Sequence, residues 1–200
     1  MSPSGVSEML TAEDAARAVN YPGFGGVPVY ELAKGLVAYG HRVSVVTTGG
    51  SPDAAEVRFE GPQIDVYCLP RRTAGPAIRD VYRIERRSMA EALRDAAPDI
   101  VHAHWTYEFA LAALETGLPH VITSHDSPVQ VLLNSRSPLR AVRLLMARQA
   151  LGRARCVTAV SNYLAEAVQP MARCPVTVIP NPVARYAIEM GAARAEPLHP

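Results

Sequence analysis

The residues best suited to chemistry stand at the ends of short apolar runs. His102-Ala103-His104-Trp105 closes one run, and Thr123-Ser124-His125-Asp126-Ser127-Pro128 closes the next. Alternation along an extended segment puts His102 and His104 on one face, with Ala103 and Trp105 on the other. Two histidines spaced i, i+2 suit hydrogen bonding or, with a third ligand, a metal ion; no third ligand clusters with them, so no metal is expected. The competing reading is one satisfied core histidine and one solvated one. His125 is placed either to act on a substrate hydroxyl or to pack beneath the next helix. Adjacent Ser124, His125 and Asp126 do not make a hydrolase triad, because triads assemble in space. The chain also has no Gly-x-Ser-x-Gly elbow.

Two further patterns could meet an anion. Gly23-Phe24-Gly25-Gly26 stands directly before an amphipathic stretch. Glycines there allow close backbone approach, and free N–H groups at a helix start attract phosphate; a turn needing positive φ explains them equally well. The pattern lacks the third glycine of a dinucleotide fingerprint. From Ser127 to Ala165 there is no acidic residue, while Arg136, Arg140, Arg143, Arg148, Arg153 and Arg155 fall within it. At helical spacing Arg140, Arg143 and Arg148 cover an arc of about 140°. Such an arc fits an anionic lipid surface or, as the plainer alternative, a solvated face neutralised by carboxylates elsewhere.

The elements that must position these groups alternate in type. Expected strands are Arg42–Thr47, Ile64–Leu69, Ile100–His104, His120–Ser124, Cys156–Val160 and Val176–Ile179, β-branched and largely apolar rather than cleanly alternating, as in strands covered on both faces. Expected helices are Val27–Tyr39, Ala77–Ala96, Glu108–Thr116, Pro138–Leu151 and Asn162–Val168. Ser137 and Ser161 are good N-caps, Pro138 takes the first helical position, and Gly40 and Gly117 are natural stops. The alternation points to an α/β domain with a doubly wound, Rossmann-like parallel sheet. Such a sheet binds ligands outside the carboxyl ends of its strands, which favours His104 and Trp105 over His102. The opening is unusual: residues 1–26 offer only a stub around Gly5-Val6-Ser7, a polar helical stretch at Ala12–Val19 and a Gly/Pro loop.

Composition narrows the class. The 200 residues are 48% hydrophobic and 20% charged with a net charge of +1, which argues against a dedicated nucleic-acid binder. No run reaches the roughly 18 apolar residues of a membrane span. No basic segment leads into an apolar one at the N-terminus, so a cytoplasmic location is expected, with peripheral contact at the inner face of the membrane if the arginine arc meets lipid. Cys68, Cys156 and Cys174 are widely spaced, have no Cys-x-x-Cys pair, and are expected to be small core hydrophobes.

Taken in order, the motifs resemble glycosyltransferase family 4. The resemblance is carried by Gly25-Gly26-Val27 leading into Tyr30–Leu36 and Gly40-His41-Arg42-Val43, then by Pro98-Asp99-Ile100-Val101-His102-Ala103-His104. Thr123-Ser124-His125-Asp126, Ala159-Val160-Ser161 and Ile179-Pro180-Asn181-Pro182-Val183 complete it, over roughly residues 23–185. The resemblance implies a GT-B architecture, two Rossmann-like domains facing across a cleft, that moves a sugar from a nucleotide-diphosphate donor with retention and without an essential metal or other cofactor. By motif match, Gly25 and Gly26 approach the donor diphosphate, and His125 hydrogen-bonds the transferred sugar as the catalytic histidine. His104, Trp105 and Tyr107 line the acceptor side.

The expected organisation is therefore an atypical extension or truncated first strand at 1–22, the glycosyltransferase N-terminal domain at 23–183, and a linker at 184–200 toward a C-terminal donor-binding domain supplied in cis or in trans. Its partners would be a nucleotide sugar and a glycan or lipid-linked acceptor, and half a cleft is expected to be incompetent alone. A non-catalytic carbohydrate- or lipid-binding module of the same fold is the alternative. A Rossmann dehydrogenase fits less well, since no clear acidic ribose ligand follows Val43–Thr47.

Overall fold

The computed structural model describes residues 3–19, 21, 26–49 and 55–193. After a 3-10 helix at Pro3–Met9 come α1 (Ala12–Ala18), α2 (Val27–Ala38), β1 (Val43–Thr48), β2 (Val57–Glu60), β3 (Ile64–Leu69), α3 (Ala74–Arg79) and α4 (Arg83–Asp95). Then follow β4 (Val101–His104), α5 (Glu108–Thr116), β5 (His120–Ser124), α6 (Pro128–Ser135), α7 (Pro138–Leu151), β6 (Val157–Ala159), α8 (Asn162–Val168), a 3-10 turn at Gln169–Met171, β7 (Val176–Val178) and α9 (Arg185–Ala193).

The strands form two groups, ordered β1-β3-β2 and β4-β5-β6-β7. All pairs are parallel except β2 with β3, and Val43 stands opposite Ile64, Val101 opposite His120, and Val157 opposite Val176. Helices cover both faces. All six residues of β3 are buried, with Ile64 and Val66 facing α2 and the N-terminal helices, and Tyr67 and Leu69 facing Met89 and Ala92 of α4. Under the second group, Val101, Ala103 and Ile122 pack with Leu111 of α5 and Met146, Ala150 and Leu151 of α7. Leu164 and Ala165 of α8 close the other side against Ala159. This is the expected two-sided burial, and it explains why the strands read as continuous apolar runs. No ladder joins β1 to β4 among the described residues.

Several expectations need correction. The Gly5-Val6-Ser7 stub is not a strand: it lies in the 3-10 helix, where Val6 and Leu10 pack on Phe59, Ile64 and Val66. The expected Ala77–Ala96 helix is two helices. Val81 and Tyr82 both adopt left-handed φ, at 56° and 57°, at a cost of roughly 1–2 kcal/mol each. Burial of the Tyr82 ring, only 1% exposed, offsets that cost. Arg72 spans the break, bonding Asp80 on one side (2.9 Å) and Glu85 on the other (2.7 Å). Three elements were not expected at all: the antiparallel β2, helix α6 after Ser127, and α9 within the 184–200 segment. Of the cysteines Cys68 is buried, but Cys156 is exposed, so it is not a core residue.

Candidate functional site at the carboxyl ends of the strands

Register brings the histidines together. β4 pairs with β5 so that His104 stands opposite Thr123, and His125 follows two residues later, past the end of β5. His104 Nδ1 lies 2.9 Å from His125 Nε2. The His102 ring stacks on that of His104 at 4.3 Å between centroids, as alternation along β4 requires. His102 Nε2 hydrogen-bonds Thr123 Oγ1 at 2.7 Å, and Thr123 continues to Thr158 Oγ1 at 2.7 Å. Thr123 opens one of the motifs, but the sequence assigned neither threonine a role, although inward hydroxyls on adjacent parallel strands are a natural place for such a chain.

Trp105 does not sit on the face opposite the histidines. Its φ of 67° turns the chain out of the strand conformation, so the indole comes back to 5.2 Å from the His125 ring. A bulky residue in that region is an outlier worth a functional reading. The indole also reaches the start of α2: a Cβ built on Gly26 would lie 3.8 Å from Trp105 Cη2. Gly26 is the N-cap of α2 and offers no side-chain cap. Pro28 has no N–H and that of Val29 bonds the Gly26 carbonyl, so neither supplies a free donor at this terminus. Gly25, and with it Gly23 and Phe24, lies outside the described residues.

Burial holds the His104 imidazole down at about 3, and the neighbouring His102 and His125 push the same way. Burial lowers His125 as well, with His102 second. Both rings are therefore neutral near pH 7. In a neutral pair joined Nδ1 to Nε2, one ring donates and the other accepts. Whichever tautomers obtain, the two remaining nitrogens are one N–H donor and one acceptor. That is the complement of a hydroxyl group, which donates once and accepts.

Tyr107 is buried, 3% exposed. Its hydroxyl donates to Asp126 Oδ1 at 2.9 Å and Oδ2 at 3.0 Å, and the Arg143 guanidinium covers its ring at 5.0 Å. It braces the 124–127 turn from below, and Ser124 Oγ donates to the Asp126 carbonyl in the same turn at 2.8 Å. Burial raises the Asp126 carboxyl, while the Tyr107 bond and the nearby Arg143 and Arg140 work against the rise. Arg143 also lies 3.9 Å from the buried Glu108, which Arg71 approaches at 3.4 Å. Of the α7 arginines, Arg148 is exposed and Arg140 and Arg143 are half-buried, with Arg143 set against Glu108 and the Tyr107 ring. Arg71 and Glu108 were not singled out from sequence; Leu69-Pro70-Arg71, a cation just past a strand end, was the available signal. Among the described residues no cluster of three or more His, Cys, Asp and Glu could hold a metal ion. No described helix is long and apolar enough to cross a membrane.

Comparison with known proteins bears on the family and the fold. The model of Glycosyltransferase Family 4 matches residues 25–185. Comparison with curated proteins gives no match. Among solved structures, a sucrose-phosphate synthase from Thermosynechococcus elongatus superposes with a TM-score of 0.62 at 15% identity, over 86% of this chain and 49% of that one. A shorter chain of the same synthase gives 0.55 at 14%, over 84% and 92%. This chain thus spans about half the length of the longer synthase chain. The structural likeness establishes an α/β fold of the kind found in GT-B glycosyltransferases. With the family model matching most of its length, the chain belongs to glycosyltransferase family 4.

Proposed function

We propose that this chain is the acceptor-side, N-terminal domain of a retaining glycosyltransferase that moves a sugar from a nucleotide-diphosphate donor to a glycan or lipid-linked acceptor on the cytoplasmic side of the membrane. The observation that carries the reading is the neutral His104–His125 pair, held against Trp105 and the Gly26 end of α2 where the strands end. In this reading His125 meets a hydroxyl of the transferred sugar, and the hydrogen bond tightens as charge develops on the ring. His104 fixes the tautomer and orientation of His125 and, with Trp105, forms the apolar and hydrogen-bonding wall on the acceptor side. Gly25 and Gly26 let the backbone approach the diphosphate. Tyr107 acts through Asp126, holding the turn that carries His125.

One wall is a weak catalyst. The departing diphosphate needs donors preorganised around it, and an open site leaves water among the reacting groups. The donor-binding domain is therefore required, in cis or in trans. The test is release of nucleoside diphosphate from UDP-glucose, ADP-glucose and GDP-mannose by the purified 200-residue chain. No turnover is expected from it alone; steady turnover by the isolated chain would overturn the need for a second domain.

A further inference from the structure

One group of strands ends at β2 and the other at β7. A strand with no neighbour on one side presents a row of N–H and C=O groups on which another chain can pair. Alternation fixes which residues do so, because every second residue turns both groups to the same side. On β7 the Ile179 N–H bonds the Ala159 carbonyl, so the odd-numbered residues face β6 and Val176 and Val178 face outward.

The first of these outward groups is already taken. The Gln169 side chain donates through Nε2 to the Cys174 carbonyl at 3.1 Å and accepts through Oε1 from the Val176 N–H at 3.0 Å. A residue of a parallel neighbouring strand makes the same two bonds, to the carbonyl before its opposite residue and the N–H after it. One carboxamide thus stands in for one strand residue, opposite Pro175. The chain brings it there by ending α8 at Val168 and making one turn, Gln169–Met171, before β7.

The β2 edge is closed by other means. Glu60 turns both its groups outward: its carbonyl accepts from the Thr11 N–H at 2.8 Å, and its N–H donates to Asp14 Oδ2 at 2.7 Å. Thr11 is the N-cap of α1, and its side chain accepts from the Asp14 N–H. In an ordinary capping box the carboxylate at this spacing returns to the N–H of the cap. Here Glu60 is inserted between the two halves and bonds both. Asp14 is only 8% exposed, and Arg17 pairs with its other oxygen.

We propose that Gln169 and the Thr11–Asp14 cap are edge guards: each fills the place of the next strand and keeps the chain from pairing edge to edge with a second copy of itself. The β7 guard is the weaker one, since Gln169 is exposed and held by two neutral hydrogen bonds, whereas Asp14 is buried and charged. Its release opens the row from Cys174 to Val178. A second copy carries the complement of that row, because a two-fold axis sets one edge antiparallel to itself and matches each donor with an acceptor. Cys174 and Val176 stand at the amino end of β7, whereas His104 and His125 stand at the carboxyl ends of β4 and β5. The guard is therefore separate from the transferase reading.

Sedimentation velocity and amide hydrogen exchange on the 200-residue chain test it with Gln169→Ala, a helix-compatible change at an exposed position. At micromolar concentration the variant should exchange its Val176 amide about tenfold faster than the parent, one hydrogen bond having been lost. Toward millimolar concentration the variant should shift to dimer while the parent does not, and the protection of Val176 should return. Adding Val178→Pro removes the next outward donor without touching the β6 ladder, and should bring association back to the level of the parent. An unchanged Val176 amide in Gln169→Ala would overturn the proposal, because Gln169 would not be covering the edge. So would a variant no more associated than the parent, or a dimer that Val178→Pro leaves intact, since association would then use another surface.

Discussion

The neutral state of His104 makes a quantitative claim on stability. In the unfolded chain its imidazole titrates near 6.5; in the fold, burial and the adjacent His102 and His125 hold it at about 3. Between these values the unfolded state binds a proton that the folded state refuses. Stability is therefore full above about pH 6.5 and declines as pH falls toward 3. At pH 5 the deficit from this one group is 1.5 units at 1.36 kcal/mol each, or about 2 kcal/mol. His125 shifts in the same direction and adds to the loss. The assay is urea unfolding at pH 7.5, 6 and 5 for the parent chain and His104→Gln, which keeps a hydrogen-bonding group but cannot titrate. Comparing the two removes the carboxylates common to both. The parent should lose about 2 kcal/mol more than the variant between pH 7.5 and 5. Parallel stability curves, or a His104 that titrates near 6.5 by NMR, would refute the reasoning.

Other sites give sharper structural tests. Arg72→Ala leaves Glu85, 3% exposed, without its bidentate partner, and should cost about 3–5 kcal/mol; chemical denaturation showing a loss under 1 kcal/mol would mean the ion pair does not hold the α3–α4 break. Tyr107→Phe removes both bonds to Asp126 and should cost about 1–3 kcal/mol, and NMR titration should show the Asp126 carboxyl raised further, since the Tyr107 bond lowers it. An unmoved Asp126 would deny that brace. Gly61→Ala would drive a Cβ to 2.0 Å from the Met9 carbonyl. Overpacking of this kind costs about 1–3 kcal/mol, and limited proteolysis should then cut first within residues 3–18; an unchanged cleavage pattern would show that the N-terminal helices are not docked against this turn.

Six of the strands were legible because burial on both faces, complete in β3 and β6, writes itself as short β-branched runs, and the caps at Ser137 and Ser161 marked two helix starts well. β2 was missed although Val57-Arg58-Phe59-Glu60 alternates cleanly; four residues is a weak signal, and only pairing with β3 makes it a strand. The α3–α4 break had no warning residue, since Val81 and Tyr82 are unlikely left-handed positions that tertiary packing imposes. The same cause hid the site's geometry at Trp105. Alternation placed its ring away from the histidines, and one positive φ brought it back. The His104–His125 contact depends on strand register, which a single strand's sequence does not encode. Tyr107 read as a wall residue because aromatic residues near strand ends often are; its burial follows from Asp126 and Arg143, both distant in sequence.

Turnover by this chain joined with the donor-binding domain proposed above tests the central claim most directly. Nucleoside diphosphate release from the accepted donor would be followed for the parent and for His125→Ala, with donor affinity measured alongside. If His125 hydrogen-bonds the transferred sugar as the bond breaks, the rate should fall about 10²–10³-fold, the usual cost of removing one such donor, while donor affinity changes little. A His125→Ala protein that turns over within twofold of the parent would contradict the account.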